Sequence, residues 1–254
     1  MTIELQVWHP APAHFTLSPA EVHVWRASLP ARPSRLADLH AILAAEERQR
    51  AARFHADRDR DSYIVARGVL RTLLGHYVQR PPQELRFSYN LYGKPALQGP
   101  PDRTPLCFNL SHSHNLVLYA VTYGRDLGID IEYVRPNFAR DQIAEQFFSP
   151  RENVELRALT HVQHTIGFFN CWTRKEAYIK ARGQGLSLPL DQFDVSLTPG
   201  EPAALLQTRD LPDEAARWSL WELHPGPGYI AALAVEGCPN WQLMSWQWPE
   251  YGDA

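Results

Sequence analysis

Three observations predict an α+β fold. Residues 141–148, 150–159 and 165–182 carry helical spacing and are followed, not interleaved, by strand-like runs at 193–197, 218–223, 230–235 and 242–246. A further helix is predicted over 58–78, where Tyr63, Ile64, Val69, Leu70, Leu73 and Leu74 share one face. A β-rich run at 116–122 is parted from a second strand, 127–134, by Gly124-Arg125-Asp126.

At the start of the chain, 22–27 alternates in strand fashion. Pro30 and Pro33 then break it ahead of a helical pattern over 34–52. Pro81 and Pro82 stop the helix of 58–78. Residues 85–105, rich in turn formers around Asn90, Gly93, Pro95, Gly99 and Pro100, read as a loop-rich connection. The strands at 116–122 and 127–134 form either a hairpin or a crossover between domains, with the boundary at 124–126. No repeat or low-complexity tract is evident.

Composition narrows the function. The chain has 254 residues, 44% of them apolar, enough for a substantial core in one large domain or two modest ones. A formal charge of −3 with both signs interspersed gives no global basic face for nucleic acid, so any phosphate recognition must be local. Cys107, Cys171 and Cys238 are too few and too scattered for a disulfide framework and suit a reducing cytoplasm. Residues 1–13 lack a secretory signal, and no run approaches the roughly 20 apolar residues that span a bilayer. The expectation is a cytoplasmic protein without membrane or nucleic-acid partners.

In Gly128-Ile129-Asp130-Ile131-Glu132 the two acids sit two apart in a strand, so both point to one face and the isoleucines to the other. Side-by-side carboxylates repel unless a cation or a basic partner lies between them, so metal binding and plain solvent exposure are both open. Helical geometry puts Glu176 and Lys180 one turn apart, as a surface ion pair or as buried charges facing a ligand. Phe168, Phe169, Trp172, Tyr178 and Ile179 around them favour burial, where a charge needs a partner. Asp130, Glu132 and Glu176 are then a plausible oxygen triad for magnesium at a pyrophosphate, with Lys180 on the same phosphates. His112 and His114, flanked by Ser111 and Ser113, lack the further ligand that zinc needs; phosphate donor and structural histidine both stand. Among the arginines of 48–71 most belong to a solvated face; Arg53 and Arg67 adjoin apolar residues and could reach a phosphate.

In their order along the chain, Gly93-Lys94-Pro95, Asn109-Leu110-Ser111-His112, Gly128 to Glu132 and Trp172-Thr173-Arg174-Lys175-Glu176 through Lys180, followed by Gly183-Gln184-Gly185, resemble the characteristic blocks of the Sfp-type 4′-phosphopantetheinyl transferases. The resemblance runs from about residue 48 to 195. It implies two similar α+β halves related by a pseudo-twofold axis, here 1–124 and 125–254, with coenzyme A in the cleft between them. It further implies a holo-[acyl-carrier-protein] synthase type of activity: 4′-phosphopantetheine passes from coenzyme A to a serine of an acyl or peptidyl carrier protein, leaving 3′,5′-ADP. By motif match Asp130, Glu132 and Glu176 are the magnesium ligands, with Glu176 also the base and Lys180 the pyrophosphate contact. Ser111 and His112 meet the 3′-phosphate end of coenzyme A, and Gly93, Lys94 and Pro95 form the adenine-side turn. Arg53 and Arg67 are the candidates for added phosphate contacts, since Ser62 stands where some relatives carry an arginine. A monomer is implied, as is a carrier-docking surface around Arg182, Gln184 and Leu186; the pathway served, whether fatty acid, polyketide or nonribosomal peptide, is not. A non-catalytic coenzyme A binder and a divalent-metal phosphohydrolase are the rival readings.

Overall fold

The computed structural model describes residues 6–29, 33–100, 103–135, 140–211, 213–238 and 240–249. The first half contains β1 (His9–Pro10), β2 (Glu21–Ser28), α1 (Pro33–Ala41), α2 (Ala45–Ala51), α3 (Asp57–Val78), β3 (Phe87–Tyr89), β4 (Pro95–Leu97), β5 (Leu106–Ser113) and β6 (Leu116–Tyr123). The second contains β7 (Leu127–Tyr133), α4 (Arg140–Phe147), α5 (Pro150–Ala158), α6 (His161–Arg182), β8 (Phe193–Val195), β9 (Leu205–Thr208), β10 (Trp218–Leu223), β11 (Tyr229–Glu236) and β12 (Gln242–Gln247).

Two sheets lie back to back. One has the order β1-β12-β2-β6-β5 and the other β10-β11-β7. Strand alternation assigns every layer. Trp25, Ala27, Val117, Tyr119 and Val121 face α1 and α3, while Val22, Val24, Leu118 and Ala120 face the opposite way. There they meet Leu127, Ile129 and Ile131 of β7 and Ala231, Leu233 and Val235 of β11, forming a core between the halves. The far side of the second sheet carries Ala232, Ala234 and Leu220 against the buried face of α6. Each half thus sets one 22-residue helix, α3 or α6, on its own sheet.

The structure refines several sequence expectations. The helical pattern over 34–52 is two helices, because Ala44 is extended and caps α2 through Glu47, whose carboxylate accepts from the Ala44 N–H and also holds Arg67 and Arg71. The loop-rich stretch contains the β3–β4 hairpin. Asn109 to His112, ahead of the strands around Gly124, lie in a strand of their own, β5, where one face is polar for a reason given below. The strands on either side of Gly124 are a crossover, since β6 pairs β2 and β5 while β7 pairs β11. β12, far beyond residue 124, returns to the first sheet and runs parallel between β1 and β2.

The second half is fastened by a fully buried ion pair. Lys175 donates to the Leu190 and Phe193 carbonyls at 2.6 Å each and lies 2.7 Å from Glu152. Glu152 in turn accepts from the Ser149 and Val195 N–H groups, joining the α5 cap and β8 to α6. Removing one partner of such a pair strands the other charge in the core. Lys175→Met should therefore lower the unfolding free energy by about 3–5 kcal/mol in urea denaturation, and adding Glu152→Gln should recover part of that loss.

Candidate active site

β7 is an edge strand of its sheet, and its outer edge faces β5 of the other sheet without a continuous backbone ladder. Side chains close the gap. Along the period of two, Asn109 Oδ1 accepts from the Ile129 N–H at 3.0 Å and Ser113 Oγ accepts from the Tyr133 N–H at 3.0 Å. The same row donates to the acids: Ser111 Oγ to Asp130 Oδ1 at 2.8 Å and Ser113 Oγ to Glu132 at 2.9 Å. The polar face of β5 is thus the seam of the molecule, which explains why Asn109, Ser111 and Ser113 recur at every second position despite their weak preference for strands.

On the other side α6 lies directly on β7. A Cβ built at Gly128 would come within 2.2 Å of the Ala177 carbonyl oxygen and 2.3 Å of the Ala181 nitrogen. Only glycine permits that approach. It brings Lys180 Nζ to 2.6 Å from Asp130 Oδ1 and 3.0 Å from Ser111 Oγ. Asp130, Glu132 and Glu176 form one electrostatically coupled group with Lys180.

The charges do not balance. Burial first, then the Asp130 and Glu132 carboxylates, against the opposing Lys180 ammonium, push Glu176 up to about 7. Burial and Asp130 likewise raise Glu132, although Ser113, Arg135 and Lys180 oppose them. Three carboxylates face the Lys180 ammonium, with Arg135 acting on Glu132 besides, and the Asp130 Oδ2 atom is buried without a hydrogen-bond partner. An orphaned carboxylate oxygen within an all-oxygen donor set fits a hard divalent cation such as magnesium. In the arrangement observed, with Lys180 on Asp130, no three acidic, histidine or cysteine side chains among the described residues already converge as a metal cage.

Beside the seam, a cavity of about 450 Å³ is lined by Arg50, Arg58, Ser62, Tyr63, His112 and His114 among others. His112, next to Ser111 but on the other face of β5, is near enough to Lys180 and Asp130 to feel both charges. Arg67, expected at a phosphate, is instead buried, donates through Nε and Nη2 to Glu47 and lies 5.0 Å over the Phe87 ring. Arg53 lines an adjoining cavity of about 590 Å³. Arg50 and Arg58 line the first cavity together with His112; in sequence they were indistinguishable from the solvated arginines.

The Gly93-Lys94-Pro95 turn lies against the end of α6. Gly93 has a φ of +86°, which suits glycine, and Lys94 turns inward to donate to the Ala181 carbonyl. Arg182 is likewise engaged, by Tyr178 and by Glu214 at 2.9 Å, so of the docking residues expected after Lys180 it offers no free cation, whereas Leu186 is well exposed. Lys175, adjacent to Glu176, faces the core and not the cleft. Ser113 escaped the sequence reading as a site residue; its signal was the alternation with Asn109 and Ser111.

Fold and cluster together define the class: an α+β protein of two halves with an acidic, magnesium-compatible site at their seam. Residues 25–123 match the family described as 4′-phosphopantetheinyl transferase, N-terminal, and residues 126–234 match the 4′-phosphopantetheinyl transferase superfamily. The chain is 44% identical over 241 residues to 4′-phosphopantetheinyl transferase HetI of Nostoc sp., covering 95% of this chain and 98% of that protein. It is 32% identical over 195 residues to 4′-phosphopantetheinyl transferase Sfp of Bacillus subtilis, covering 77% and 83%. A putative 4′-phosphopantetheinyl transferase of Synechocystis sp. is 33% identical over 208 residues, covering 81% and 80%. The chain belongs to the 4′-phosphopantetheinyl transferases, and within them to the Sfp type.

The raised Glu176 has a thermodynamic consequence. The folded state holds this proton up to about pH 7, whereas the unfolded chain releases it near the ordinary 4.5. Folded protein therefore binds more protons than unfolded between those values, and stability falls as pH rises through that window. With chelator present, Tm should decline from pH 4.5 to 7 by an amount that Glu176→Gln reduces, and magnesium should restore stability at pH 7 in the wild type more than in the variant. An unchanged slope in the variant would remove Glu176 as its source.

Proposed function

We propose that this protein transfers 4′-phosphopantetheine from coenzyme A to a serine of apo acyl or peptidyl carrier protein domains, yielding holo carrier and 3′,5′-ADP. The observation that carries the reading is the acidic cluster, three carboxylates on two elements against the Lys180 ammonium with an orphaned Asp130 oxygen, in a family of phosphopantetheinyl transferases. It calls for a cation and an anionic ligand together.

Asp130, Glu132 and Glu176 would hold magnesium, which when bound neutralises charge on the pyrophosphate of coenzyme A. Lys180, held by Ser111 and Asp130, would supply the protein's own positive charge to the departing phosphate, and Ser111 touches both Lys180 and Asp130. Glu176, held near neutrality by its neighbours, is suited to take the proton of the attacking serine. The cavity lined by Arg50, Arg58 and His112 would receive the 3′-phosphate end of the nucleotide. No helix among the described residues is long and apolar enough to cross a membrane. The same reading takes the protein as a monomer working in the cytoplasm.

Intact mass of an apo-carrier after incubation with this protein, coenzyme A and magnesium should rise by one phosphopantetheine. Chelator should stop the conversion, and Glu176→Gln should slow it by roughly 10²-fold or more. Coenzyme A binding without any mass shift across several carrier types would favour a non-catalytic binder, and magnesium-dependent phosphate release without a carrier would favour a hydrolase.

A further inference from the structure

We infer that Lys94 is a positioning residue: it fixes the strand that carries Asp130 and Glu132 against the helix that carries Glu176 and Lys180. The inference rests on the function proposed above and departs from a role for this ammonium at the nucleotide.

The two elements that supply the cluster are not consecutive, so something must set their mutual register. Lys94 Nζ donates to the Ala181 carbonyl at 2.7 Å and to the Leu127 carbonyl at 3.3 Å, one residue after Lys180 and three before Asp130. It joins α6 to β7 at the point where both enter the site. Asp126, 3.5 Å away at the start of β7, completes its surroundings. A cation there also satisfies a terminal helix carbonyl and complements the negative end of the helix dipole.

A second strap comes from the same hairpin. Asn90 accepts from the Tyr92 and Lys94 N–H groups at 2.9 Å each, shaping the turn, and donates through Nδ2 to the Gly183 carbonyl at 2.6 Å. Gly183, the left-handed cap of α6, leaves no spare room: a Cβ there would stand 3.0 Å from both Asn90 Nδ2 and Lys94 Cδ. With Gly128 already in backbone contact with α6, the helix has little freedom to slide. The Lys94 side chain is 19% exposed, its ammonium directed at protein carbonyls. A change of the order of 1 Å in the placement of Glu176 and Lys180 relative to Asp130 is the kind that costs roughly 10²-fold in rate.

The test is Lys94→Met, with Lys94→Arg as the conservative partner, assayed in two ways. In steady-state transfer to an apo-carrier, Lys94→Met should lose roughly 10- to 100-fold in kcat with KM for coenzyme A changed by less than about twofold. In electron paramagnetic resonance titration with Mn²⁺ alone, its affinity should weaken while the wild type and Lys94→Arg stay close. A raised KM with kcat and Mn²⁺ affinity intact would overturn the inference in favour of a nucleotide contact. A lowered Tm with both parameters intact would overturn it in favour of a purely structural strap. Should Lys94→Met fail to fold, Asn90→Ala, which removes the other strap, should shift the same two parameters in the same direction; no shift there counts against positioning. If the wild type transfers nothing, the proposed function fails, and the Mn²⁺ titration alone still decides the role of Lys94.

Discussion

Everything at the site depends on β7 being an edge strand closed by side chains. Had β5 and β7 paired through their backbones, the two sheets would be one and the acids would sit in the middle of it. Instead Asn109, Ser111 and Ser113 reach across to the N–H groups and carboxylates of β7. An unpaired strand edge is costly when buried, and this row satisfies it while leaving a seam in which a ligand can lie. Ile129 and Ile131 hold the same strand from behind through the core between the halves.

The distribution of charge on α6 separates support from chemistry. Arg174 is engaged by Ser196 and Glu222, and Lys175 by Glu152, all directed into the second half. These cations are matched, so they bind the helix to its scaffold. Glu176 and Lys180, on the cleft side, join a cluster that stays short of positive charge. Such an imbalance opposes folding, and it persists because the matched pairs, the Gly128 contact and the straps from Asn90 and Lys94 over-determine the placement of the helix. Within the cluster Glu176 is the carboxylate pushed up to about 7, by burial and by its acidic neighbours.

The same economy holds in the first half, where Glu47 joins two arginines to the cap of α2. That network withdraws Arg67 from any ligand and keeps α3 against its neighbours, while Arg50 and Arg58, on the outer turns, remain at the cavity. A row of similar arginines is thereby sorted by burial into a set held in the interior and a set that lines the cavity.

The sequence by itself determined the α+β class, the two long helices, the strands around Gly124, the family, and the sharing of one face by Asp130 and Glu132. These follow from periodicity and motif order, which are local properties. Which arginine meets the cavity, that Lys94 turns to α6, that Lys175 belongs to the core, and that β12 returns to the first sheet were decided only in the tertiary structure. Each depends on which partner a charged or edge-forming group finds across long stretches of chain. Lys94 and Ala181 lie 87 residues apart, and no local pattern encodes a hydrogen bond over that separation.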